Sequence, residues 1–185
     1  MQNQIISVVG ELRSDKIDSV TAGIMGTLIV SGSHELAAQA NYICVNDVDL
    51  LEGLVKNKAE KTVVLTPKNY YTKYVFHNGV ECVPEFEDLV PYNFDPYKCS
   101  QQSMSLALAC WLGNPVIALF DYLLEPKKET PALKAIIKLY PLIQFLYVRE
   151  KKGNKIGIFD DMLNVKQMDY KEFVNFYEKY VLRKN

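Results

Sequence analysis

The sequence predicts an α/β chain, a three-layer sandwich with helices on both faces of a mostly parallel central sheet. Two observations predict it. Short apolar runs alternate with segments of helical spacing along the 185 residues. Several of those runs, "TLIV", "VVLT" and "VIALF", are apolar at consecutive positions. Strands covered on both faces read that way, whereas a half-solvated strand alternates.

The elements follow in order. "IISVVGEL" at 5–12 reads as a strand, and "SDKIDSVTAGIM" as a short helix with Ser14 as its cap. "GTLIVSGS" at 26–33 is an apolar run closed by small residues, and "HELAAQ" makes one or two helical turns. "NYICVND" at 41–47 is a further strand. Val48, Leu51, Leu54 and Val55 then recur at helical spacing. "KTVVLTP" at 61–67 is a buried strand closed by Pro67. The polar-aromatic stretch 68–79 fits no single element, and "VECVPEF" reads as a short strand. Residues 87–102 carry two prolines, Pro91 and Pro96, and read as an irregular connection, of a length often tied to function.

The segment "SMSLALACWLGNPVIALFDY" comes next, with no charged side chain between Lys98 and Asp121. A membrane helix needs about 20 unbroken residues. Here Gly113-Asn114-Pro115 divides the run, so it reads as buried helix, tight turn and buried strand. "TPALKAIIKLYPLI" reads as a helix with Thr130 as N-cap and Pro131 in its first turn. "QFLYVRE" is a strand and "GNKIGIFDD" a short edge strand. Phe173, Phe176, Tyr177 and Tyr180 mark a terminal amphipathic helix.

The length favours one α/β domain over 1–185. Hydrophobic residues make up 49% and charged residues 23%, with a net charge of −1. That balance gives no electrostatic reason to expect nucleic acid or an anionic membrane as partner. The N-terminus lacks the basic start and long apolar run of a secretory signal. Cys44, Cys82, Cys99 and Cys110 form no CxxC pair, and the histidines are His34 and His77 alone. Neither a zinc site nor any other metal or cofactor is expected, and Cys44 and Cys110 read as small core residues. A reducing cytoplasm without disulfides is the expected setting.

In parallel sheets, ligands bind beyond the carboxyl ends of the strands. Four such ends carry polar groups. Ser31-Gly32-Ser33 can present backbone N–H groups to a phosphate, or can be only a tight turn with a capping serine. Asn46 and Asp47 can meet a ribose or base edge, or Asp47 can cap the next helix. Lys68 can meet an anion with Tyr70 or Tyr71 stacking beside it, or can be an ordinary surface lysine. Asp121 and Tyr122 follow the long uncharged run, where Asp121 can hold a hydroxyl, a metal or a proton, or cap a turn. Upstream, Ser100, Gln101 and Ser103 open the central helix as caps or ligand donors. His34 follows the Ser-Gly-Ser turn and is the better of the two histidines for a general acid or base.

The order Gly-Ser turn, "NYICVND", "KTVVLTP" and "SQQSMSLALACWLGNPVIALFDY" resembles the core of small sialyltransferase-like proteins. Bacterial family 42 sialyltransferases and related motility-accessory proteins are among them. The resemblance spans roughly residues 27–125. It implies a Rossmann-like fold, with Gly32, Ser33 and Asn46 facing a nucleotide, Ser100 and Gln101 at the donor, and Asp121 in the last motif. The chain departs from the family at Thr66, where Asn is expected, and at Gln102, where Gly is expected. It also has no histidine after His77, where the family carries its base on a lid. The implied activity is binding of a nucleotide or nucleotide-sugar, with sugar transfer relying on Asp121 or His34. The competing expectation is an interaction or assembly module that docks a partner or a second copy through its tyrosine-rich terminal helix.

Overall fold

The computed structural model describes residues 5–10, 24–32, 35–57, 61–82, 100–120, 122, 124, 129–150 and 156–180. Its strands are β1 (Ile6–Val9), β2 (Thr27–Ser31), β3 (Tyr42–Cys44), β4 (Val63–Thr66), β5 (Val80–Cys82), β6 (Val116–Phe120), β7 (Gln144–Arg149) and β8 (Val165–Asp169). Its helices are α1 (Val48–Asn57), α2 (Lys68–Tyr71), α3 (Gln101–Trp111), α4 (Glu129–Leu139) and α5 (Tyr170–Tyr180). The eight strands form one sheet in the order β5-β4-β3-β2-β1-β6-β7-β8. Every neighbouring pair is parallel. The α/β sandwich is therefore the observed fold, with a wholly parallel sheet.

Alternation along the strands builds two cores. Ile29, Cys44, Leu65, Leu119 and Phe145 point to the face covered by α3 and α4. Val30, Ile43, Val64, Phe120 and Leu146 point to the other, where Leu51 of α1 and Phe173 of α5 pack. Phe173 meets Phe120 edge-on at 5.0 Å, a favoured geometry for two rings. With both faces covered, the central strands have no solvent side, which is why β6 is buried at all five positions.

α3 is the least amphipathic helix because it has no wet face over most of its length: every residue from Gln102 to Cys110 is buried. Gly113 ends it at φ +75°, a conformation that costs glycine little. Its N–H donates to the Cys110 carbonyl at 3.0 Å. The Asn114 Oδ1 then accepts from Val116 N at 3.1 Å, launching β6. The uncharged run is thus a helix, a turn and a strand, and among the described residues no helix is long and apolar enough to cross a membrane.

The local differences have physical causes. Residues Glu35–Gln39 wind as a 3-10 turn, the form that short helical pieces favour. α4 begins at Glu129, so Thr130 lies inside its first turn instead of capping it. Pro131 still falls where its missing N–H is not needed. "GNKIGIFDD" supplies a 3-10 turn at Gly157–Phe159, and the edge strand is β8. Of the helix read at 14–25, residues 14–23 fall outside the described residues, and Ile24 and Met25 are not helical. Of the irregular connection read at 87–102, residues 87–99 fall outside them, and Gln101 and Gln102 belong to α3 instead.

Candidate functional site

The strand order reverses at one place. β2 to β5 step away from β1 on one side, and β6 to β8 continue on its other side. β1 is thus flanked by β2 and β6, and Gly10 N donates to the Phe120 carbonyl at 2.8 Å where the two carboxyl ends meet. At such a switch point the connections leave in opposite directions and open a crevice beyond the sheet.

α3 runs back across the sheet and brings its amino end to this rim. Two contacts fix it there. Ser31, the last residue of β2, donates its hydroxyl to Ser105 Oγ at 2.9 Å in a fully buried contact. Ser105 in turn donates to the Gln101 carbonyl at 2.9 Å. The second contact lies at Gly32, which adopts φ +67°. A Cβ there would lie 2.6 Å from Gln101 Oε1, so the Gln101 amide rests against the bare glycine and would have to move for any larger residue. Gly32 N donates to the Cys44 carbonyl at 2.9 Å, tying the turn to β3.

Ser31, Gly32, Cys44, Gln101 and Ser105 thus form one polar knot under the first turns of α3. The knot is uncharged. Burial pushes the Cys44 thiol up to about 12, an effect partly offset by its hydrogen bond with Ser105. The amino end of α3 adds the partial positive charge of a helix start. Gln101 Oε1 is buried and has no hydrogen-bond partner among the described residues. A buried amide oxygen left without a donor costs roughly 1–3 kcal/mol, which a ligand hydroxyl or amino group would recover.

The other expected residues divide as follows. Ser100 caps α3, its Oγ accepting from Ser103 N at 3.1 Å, and its hydroxyl also donates to Ser103 Oγ at 3.2 Å. Ser103 is buried behind it. Tyr122 is buried, and its hydroxyl donates to the Gln102 carbonyl at 2.9 Å. Its own carbonyl accepts from the Tyr147 hydroxyl at 3.1 Å. These bonds hold the chain just past β6 against α3. Asp47 caps α1, its Oδ1 accepting from Leu50 N at 2.9 Å, while Asn46 beside it is half-buried. Lys68 is exposed at the start of α2, beyond β4. Ser33, His34 and Asp121 lie outside the described residues.

Three residues of the rim were not foreseen. Ser105 and Cys44 complete the knot, and half-buried Arg149 ends β7, the strand beyond β6. The signal for Ser105 was its place in a helix buried on all sides, where a polar group needs an internal partner. Among the described residues no cluster of His, Cys, Asp or Glu is arranged to hold a metal ion. Comparison of the chain with family models, with curated proteins and with solved structures gave no match.

Proposed function

We propose that this protein binds a nucleotide or nucleotide-sugar across the carboxyl rim of its sheet, between the β2 turn and the end of β6. The observation that carries this reading is the approach of Gln101 to Gly32 beside the switch point. It puts a helix amino end, a glycine turn and a buried acceptor without a partner at the place where parallel sheets bind ligands. In this reading the Gln101 amide takes a hydroxyl or amino group of the ligand. The helix start and Arg149 favour its phosphates. Sugar transfer from such a donor draws its base from Asp121, which directly follows β6, or from His34, which follows the β2 turn.

Thermal unfolding in the presence of a panel of nucleotides and nucleotide-sugars tests the reading. A ligand at roughly a hundred times its Kd adds about 2.7 kcal/mol to the folded state, a readable rise in Tm. The rise should shrink in Gln101→Ala. A flat response to every nucleotide and nucleotide-sugar would reject the proposal.

A further inference from the structure

The sheet ends at β8, which among the described residues pairs with β7 alone. α5 follows it without a break, and the junction is locked from both sides. Asp169 Oδ1 accepts from Glu172 N at 2.8 Å, and Glu172 Oε2 accepts from Asp169 N at 3.1 Å. This reciprocal cap turns the helix back over the sheet. Between strand and helix lies an open groove of about 460 Å³, lined by Lys166, Gln167, Asn175, Phe176, Lys179 and Tyr180 together with Glu172.

The chemistry of the groove is specific. Phe176 and Tyr180 stack at 5.2 Å between centroids. Lys166 Nζ stands 5.8 Å from the centre of the Phe176 ring. Lys166 and Lys179 form no ion pair among the described residues. The one acid in the groove, Glu172, is already engaged in the cap. The groove therefore carries an aromatic floor under an excess of positive charge.

The Gln167 side chain accepts from Ile156 N at 2.8 Å and donates to Ile156 O at 3.1 Å, so this edge residue holds the backbone of Ile156 through its side chain. A lysine on an edge strand also discriminates between partners. It opposes pairing with a second copy of the same edge, which would bring like charges together, and favours an acidic one.

We propose that the groove between β8 and α5 docks an extended acidic peptide segment, which adds to the sheet as a ninth strand along β8. Its backbone pairs with the edge, a carboxylate meets Lys166 and Lys179, and an apolar or aromatic side chain rests on the Phe176–Tyr180 stack. This is recognition by strand addition, with affinity from the main chain and selection from alternate side chains.

Fluorescence anisotropy with a labelled octapeptide alternating Glu and Val around a central Tyr tests it. Saturable binding is expected, weakened roughly tenfold by Lys166→Glu or by Lys179→Glu with the melting temperature unchanged. N-methylation of the peptide nitrogens that face β8 should abolish it, and methylation of the alternate set should not. Absence of saturable binding overturns the proposal. So does binding indifferent to both the lysine reversals and the methylation. Concentration-dependent dimerisation lost in Lys166→Glu would assign the edge to a second copy and overturn it as well.

Discussion

Ser31 and Ser105 share a hydrogen bond of 2.9 Å inside the protein, joining the end of β2 to the second turn of α3. Ser105 passes the chain of donors on to the Gln101 carbonyl. Ser105→Ala leaves the Ser31 hydroxyl buried without its acceptor, which costs roughly 1–3 kcal/mol. The Ser31→Ala/Ser105→Ala double variant removes both ends and should cost less than the sum of the singles. Urea unfolding of the three variants measures the coupling, and strict additivity would show that the bond does not join the two elements.

Gly32→Ala attacks the same rim through the backbone. Its φ of +67° costs an L-residue roughly 1–2 kcal/mol. The new methyl also displaces the Gln101 amide, which stands 2.6 Å from the Cβ position. Gly32→Ala/Gln101→Ala relieves the contact and leaves the backbone cost. The double variant should therefore regain part of the stability lost in Gly32→Ala, read in denaturant titration; no recovery would show that the backbone cost alone is at work.

Thr66 ends β4 fully buried, and its Oγ1 has no hydrogen-bond partner among the described residues. It alternates with Leu65, so it faces the α1 side and lies apart from the Gln101 knot. Thr66→Val replaces a buried hydroxyl lacking a partner by a methyl of similar shape. A gain of about 1 kcal/mol is expected in the urea midpoint. A loss would show that the hydroxyl has a structural role.

Cys44 and Cys110 are free, buried thiols. Burial raises both from 9.0 to about 12. The folded chain then keeps protons that the unfolded chain gives up. Their contribution to stability is whole below pH 9.0, declines above it, and is lost as the pH passes through about 12. In a Cys82→Ser/Cys99→Ser background, an aromatic disulfide reagent at about pH 8 should find no reactive thiol in the native protein and two after unfolding. Fast labelling of the native protein would contradict the burial of these side chains.

Much of the architecture was legible because the signals are local. The run before Asp121 betrays two buried elements by lacking charge, and Gly113-Asn114-Pro115 marks their boundary. β8 was missed for the opposite reason. Val165, Lys166, Gln167, Met168 and Asp169 carry only one buried side chain, Met168. An edge strand is half solvated and has little apolar pattern to read. The site was half legible: Ser31, Gly32 and Gln101 stood out as strand and helix ends. Cys44 and Ser105 joined them only through the crossing of α3 over β2 and β3, a contact no short stretch encodes. The strand order rests on pairs as distant as Ile6 and Ile117, which periodicity cannot match.

That pairing also orders events during synthesis. β1 leaves the ribosome first, yet its second neighbour is β6, whose Ile117 must emerge before it can meet Ile6. Strands β2 to β5 can assemble on one side of β1 while the other side still waits. A central strand of the finished sheet therefore keeps one side open until the residues of β6, Val116–Phe120, have been made. Contacts so remote slow folding, and the rim that gathers Gly32 and Gln101 takes shape only once α3 and β6 close that gap.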